Sequence, residues 1–140
     1  MMNYLIYVST AARPLNNSDL GQILLESRKK YNMKGITGMM LYSNGTIFQA
    51  LEGEAEQLEQ LFEGIQHDDR QKGVIKLKSG KEASRMFSDW SMGVKASYND
   101  FITKISGFVD PLRYDFLESY NPDHPAVKLL RSFAEYNLQY

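Results

Sequence analysis

The stretch Gly35-Ile36-Thr37-Gly38-Met39-Met40-Leu41-Tyr42-Ser43-Asn44-Gly45-Thr46-Ile47-Phe48-Gln49-Ala50-Leu51-Glu52-Gly53 decides the fold. Two runs rich in apolar and β-branched residues, Ile36 to Tyr42 and Thr46 to Leu51, flank Ser43-Asn44-Gly45. Asparagine and glycine both tolerate positive φ, so the pair reads as the turn of a β-hairpin. Gly53 ends the second strand. From Glu54 to about Asp68, Leu58, Leu61, Phe62 and Ile65 recur at i, i+3, i+4 and i+7, the stripe of an amphipathic helix. Upstream the chain turns at Lys34-Gly35, preceded by a second helical series, Leu20, Ile23, Leu24 and Ser27, that ends near Asn32. Asn16, Asn17 or Ser18 can cap its start. Asn3 to Ser9 reads as a first strand, and Val74 to Lys78 and Trp90 to Val94 as two later ones. The order β-α-β-β-α-β-β predicts an α+β fold on the ferredoxin-like plan, with two helices on one face of the sheet and an added strand.

The segment 96–140 has a different texture. Tyr98, Phe101, Ile102, Ile105, Phe108, Leu112, Tyr114, Phe116 and Leu117 form one apolar series, and Val127, Leu130, Phe133, Ala134 and Leu138 a second. Pro122 and Pro125 bracket the start of a last helix. The expectation is a C-terminal extension of two helical segments packed on the free face of the sheet. Such a cover serves packing first, and it is also where a signal could leave the domain or copies could associate.

Composition excludes several function classes. With no cysteine, thiol catalysis, disulfides and cysteine-ligated metals are ruled out. Sixteen basic and 17 acidic residues give a net charge of -1, and the densest basic run is Arg28-Lys29-Lys30, so no nucleic-acid footprint stands out. No run approaches the roughly 20 apolar residues that span a bilayer. The N-terminal residues lack a basic segment followed by an apolar one, so a cytoplasmic protein is expected. His67 and His124 have no carboxylates at ligand spacing, and both read as surface residues with no metal site. An acylphosphatase on this plan would need an arginine in a glycine-rich loop after the first strand, and Arg13-Pro14 has no such glycines. A ferredoxin-like regulatory domain that binds a small ligand or another protein is a reading that composition leaves open.

Single residues say little. A strand tyrosine such as Tyr7 is usually a core aromatic with a satisfied hydroxyl. Gln49 shares a face with Ile47 and Leu51 under strict alternation, so it points inward and needs partners. Trp90 and Met92 could be packing alone.

Three patterns taken together say more. Leu5-Ile6-Tyr7-Val8-Ser9, then Gly35-Ile36-Thr37-Gly38 running into Phe48-Gln49-Ala50-Leu51-Glu52-Gly53, then Phe87-Ser88-Asp89-Trp90-Ser91-Met92, resemble the BLUF family over roughly residues 3 to 95. Members are blue-light sensors that use flavin. The resemblance implies a non-enzymatic photosensor domain over 1–95, with 96–140 as an extension. It implies a non-covalent flavin between the two helices, FAD or else FMN or riboflavin. By motif position Tyr7 matches the tyrosine that donates an electron to the photoexcited flavin. Gln49 matches the glutamine that bridges it to flavin N5 and O4. Met92 and Trp90 match the pair whose movement accompanies signalling. A glutamine amide offers donors on one side and an acceptor on the other, so its rearrangement changes which flavin atom is hydrogen-bonded. A stronger bond to O4 would shift absorption to the red.

The chain departs from the family pattern in places. Where the family carries a flavin-binding asparagine, four residues before Gly35, this chain has Tyr31, and Asn32 is assigned the contact. The family's Asp-Pro-Arg-His after the second helix is Asp68-Asp69-Arg70-Gln71 here, leaving Asp68 and Arg70 for the ribityl and phosphate end. Ile23, Ile36, Met39 and Ile65 are expected to wall the ring. The tail is too short for a cyclase or phosphodiesterase, so output is expected in trans, through an unidentified downstream protein, from a chain that forms homo-oligomers.

Overall fold

The hairpin turns where its residues allow it. Asn44 and Gly45 take φ of 48° and 89°, and Ser43 pairs with Thr46 across the two-residue turn. That turn sets the register of β2 (Thr37–Ser43) against β3 (Thr46–Gly53). The structure is a computed structural model that describes residues 2–97, 99–113 and 115–138. Tyr98 and Tyr114 of the tail series therefore lie outside the described residues.

Around the hairpin stand β1 (Met2–Ala11), β4 (Gln71–Glu82) and β5 (Trp90–Val94), with α1 (Asn17–Met33) and α2 (Ala55–Gln66) between strands. The sheet order is β4-β1-β3-β2-β5-β6, where β6 is Phe108–Val109. The first four strands are antiparallel neighbours in the ferredoxin-like order, and β5 and β6 add on in parallel. Asn16 caps α1 through a capping box with Asp19. Gly38, at the start of β2, lies at φ 154°, and a Cβ there would sit 2.0 Å from the Ala50 carbonyl oxygen. Only glycine lets β2 approach β3 so closely.

Both faces of the sheet are covered. Leu5, Tyr7, Met40, Tyr42, Ile47, Leu51, Trp90 and Met92 pack under α1 and α2 with Leu20, Leu24, Ile36, Leu58, Leu61 and Ile65. Tyr4, Ile6, Met39, Leu41, Phe48 and Ala50 pack on the other face under α3 (Pro125–Asn137), against Val127, Leu130, Phe133 and Ala134.

The tail departs from two helices on one face. Its first apolar series forms a 3-10 turn, Phe101–Lys104, and then β6. The turn lies on the α1 side: Ile102 joins the core under α1, and Phe101 packs where α1 offers Gly21. The carboxylate of Asp100 holds the entry, accepting Ser97 N–H and the Asn17 side chain, each at 2.8 Å. On the opposite face α3 is joined by Phe87 and Leu117, with Phe116 and Tyr120 packed against them. Among the described residues no helix is long and apolar enough to cross a membrane.

Candidate functional site

Register brings one row of side chains across the whole sheet. Lys76, Tyr7, Gln49, Met40, Met92 and Phe108 are successive partners on β4, β1, β3, β2, β5 and β6. Directly opposed residues share a face, so the middle four sit together under α1 and α2. Tyr7 is 0% exposed and Gln49 5%. The Gln49 Nε2 donates to Met40 Sδ at 3.7 Å. Its Oε1 and the Tyr7 hydroxyl, both buried, have no protein partner, and neither has Trp90 Nε1. Each such group, if left alone, costs about 1–3 kcal/mol. Three on one side of one small sheet mark a place built to receive polar partners.

The walls are aromatic and aliphatic. Phe62 of α2 meets the Tyr7 ring edge-on, centroids 5.6 Å apart, and Lys76 Nζ stands 5.7 Å over Phe62. Ile23 is half-buried against this core, and Ile36 and Ile65 are buried in it. Burial, reinforced by nearby Tyr31 and Asp68, holds the Tyr7 phenol well above its usual range. It therefore keeps its proton and can act as a donor.

Two sequence-based assignments need correction. Met39 lies on the opposite face with Ile6 and Phe48, and Met40 takes the inward position, because Met40 is the residue paired with both Gln49 and Met92. Asn32 is exposed on the outer side of α1, and Tyr31 turns inward, its ring edge-on to Trp90 at 4.9 Å. One helical position is a 100° rotation, so only one of the two can face the sheet. Burial raises the Tyr31 hydroxyl's pKa, opposed by Arg70 and by a hydrogen bond with Ser27. Arg28, one turn back, anchors α1 to β5 by donating to the Trp90 carbonyl and to Asp89.

Asp68 and Arg70 meet at the rim. The guanidinium forks onto the carboxylate, with Nη2 at 2.8 Å and Nε at 3.0 and 3.1 Å, and holds Asp68 below the usual carboxylate range. Arg70 is largely exposed, 82% by side chain. The sequence pattern missed Met40, although three residues away from the turn on each strand, from the Ser43–Thr46 pair, Met40 stands opposite Gln49. It also missed that His124, read as surface, is half-buried, capping α3 and bonded to Glu82. Nothing in the sequence pairs those two.

The geometry can be set beside known proteins. The family model for sensors of blue light using FAD matches residues 2–93, from β1 through most of β5. The chain belongs to the BLUF family. It is 34% identical over 102 residues to the photoactivated adenylate cyclase subunit alpha of Euglena gracilis, covering 71% of this chain and 10% of that protein. It spans about a tenth of the length of the curated relatives it matches. Among solved structures, Klebsiella pneumoniae BlrP1 with FMN and cyclic diGMP superposes with a TM-score of 0.72 at 28% identity, over 96% of this chain and 35% of that one. The dark-state BLUF protein BlrB gives 0.64 at 26% identity, covering 96% of each chain. This is a blue-light flavin photoreceptor domain, and BLUF domains are sensors. The site suits such a cofactor: apolar walls from two helices enclose a floor whose orphaned hydroxyl, amide oxygen and indole N–H lack partners within the protein.

Proposed function

We propose that Tyr7 and Gln49 form the light-responsive pair of this BLUF domain, and that Gln49 switches by exchanging the two sides of its amide. The observation that carries the proposal is that the two are register partners, both buried, each with an unsatisfied polar atom on the α1–α2 face. Bound flavin supplies the absorption of blue light and a ring edge that takes hydrogen bonds. The chain's own part is a two-state network. In one state Gln49 Nε2 donates to Met40 Sδ and its Oε1 is the acceptor available to the neutral Tyr7 hydroxyl. In the other the amide is reversed, its N–H groups turned away from sulfur. Thioether sulfur is a weak acceptor, so losing that bond costs little and the two states can lie close in energy.

Ile23, Ile36, Ile65 and Tyr31 wall the ring, and Met40 stands where Met39 was expected. Trp90 and Met92 follow Gln49 because Met40 links β3 to β5. Asp68 and Arg70 hold the ribityl and phosphate end. FAD is the proposed flavin, in keeping with the family; BlrP1 was solved with FMN, and mass spectrometry of the extracted chromophore decides between them. We assign residues 1–95 to sensing and 96–140 to readout, through a downstream protein or a second copy, in the cytoplasm.

A Tyr7→Phe variant tests the pair. It should retain flavin and its dark spectrum yet lose the light-induced shift. A Tyr7→Phe protein that shifts like the parent would contradict the proposal.

A further inference from the structure

Three ionisable side chains with no part in that photochemistry meet on the other face of the sheet. Glu52, near the end of β3, is 0% exposed and accepts the backbone N–H groups of Met86 at 2.7 Å and Phe87 at 2.5 Å. Glu82 closes β4 with its side chain 9% exposed, and His124, the N-cap of α3, is 10% exposed. One ligand atom from each lies within 4.8 Å of the others. His124 Nδ1 accepts the Ala126 N–H at 3.0 Å, so the neutral ring carries its proton on Nε2, which points at Glu82 Oε1 2.6 Å away. The remaining oxygen, Glu82 Oε2, is buried with no donor.

Other groups around the cluster do not neutralise it. The Arg85 guanidinium is committed to Thr37 Oγ1 and the Gly35 and Glu52 carbonyls. Tyr4 of β1 stacks edge-on against His124 at 5.1 Å, and the Tyr120 phenol is held neutral, raised by burial and by Glu52. Two buried carboxylates would thus face each other with one neutral imidazole between them and α3. Like charges so placed cannot both ionise without penalty.

We propose that Glu52 and Glu82 share one proton, and that this proton seats the N-terminus of α3 on the sheet. Carried by Glu52, it is donated to Glu82 Oε2, filling the orphaned acceptor while Glu52 still accepts from Met86 and Phe87. Burial first, and the Glu82 hydrogen bond second, push Glu52 up to about 7 against the pull of the two backbone N–H groups. A divalent cation on the same three residues would need the Nε2 lone pair. That would place the proton on Nδ1 and evict the Ala126 N–H from the cap, so the geometry favours a proton.

The sign of the pH effect follows. Glu52 is raised in the folded state, so its stabilisation is full below about 4.5 and is lost as pH rises through about 7, the proton leaving to water. Burial lowers His124, so its stabilisation is present above about 6.5 and is lost as pH falls through its lowered folded value. The two oppose each other, and α3 is held best between them.

A carbon-13 titration of the glutamate carboxyls in the flavin-loaded chain, kept dark, tests this. One carboxyl should titrate near 7, and Glu82→Gln should move it down by about one pH unit. Hydrogen-exchange protection of the Ala126 and Lys128 amides, referenced to unstructured peptide at each pH, should fall about fourfold between pH 6.5 and 8, as a rise from about 4.5 to about 7 predicts, and stay nearly flat in Glu82→Gln. Should Glu82→Gln fail to fold, His124→Gln keeps both carboxyls and should keep the titration near 7. Every glutamate titrating in the ordinary range, or a titration near 7 indifferent to Glu82→Gln, would overturn the proposal. So would Zn2+ alone saturating the site and abolishing the titration.

Discussion

The two faces of the sheet treat buried polar groups in opposite ways. Under α1 and α2, Tyr7 Oη, Gln49 Oε1 and Trp90 Nε1 are buried without protein partners, as a face waiting for a ligand edge would be. Under α3, Glu52 accepts two backbone N–H groups and His124 caps a helix while bonding Glu82, so the polar atoms there hold the chain to itself, save Glu82 Oε2, to which the shared proton is assigned. β3 contributes to both: Gln49 points one way and Glu52, three residues on, the other. The same strand thus carries the proposed light-responsive glutamine on one side and a fastening on the other.

The contrast can be broken by removing polarity from each face in turn. The largest effect is expected from Glu52→Leu, which orphans the N–H groups of Met86 and Phe87 and should cost about 2–5 kcal/mol in denaturant unfolding. The equivalent change on the other face, Gln49→Leu, should do the reverse. It removes an unsatisfied buried amide, so the flavin-free protein should gain about 1 kcal/mol, while the light response disappears from the visible spectrum. If both variants lose stability alike, the faces are not different in kind. Met40→Leu is smaller again: volume is nearly kept, so stability should change by less than ~1.5 kcal/mol. The loss of the sulfur acceptor should still alter the dark recovery rate after illumination. Least of all in stability is Arg70→Gln, below ~1 kcal/mol because the Asp68–Arg70 pair is open to solvent. It should weaken binding of FAD and FMN relative to riboflavin, read by fluorescence titration with each flavin.

Much of this was legible in the residues. Asn44-Gly45 determined the hairpin and with it the pairing of Gln49, and the i, i+3, i+4, i+7 stripe of Leu58 to Ile65 located α2 to within two residues. The misreadings have physical causes. Met39 and Met40 are both apolar because the sheet is covered on both faces, so alternation could not say which pointed at Gln49. Tyr31 and Asn32 differ by one position on a helix, and the aromatic ring, with more area to bury, took the inward one. β4 runs from Gln71 to Glu82, well beyond Val74–Lys78, because an edge strand can extend along β1 with lysines facing water. The first tail segment has helical spacing, yet β5 offers an open edge that Phe108 and Val109 join. The pairing of His124 with Glu82 depends on where α3 lands, a tertiary fact with no local signal.

The pairing of Tyr7 with Gln49 beneath a flavin is tested most directly by one visible absorption spectrum. The purified, flavin-loaded protein should be recorded in the dark, under blue light, and again after dark recovery. The expected result is a yellow protein whose flavin bands move to the red in light and return in the dark. A protein that rejects added flavin, or binds it and shows no reversible shift, would contradict it.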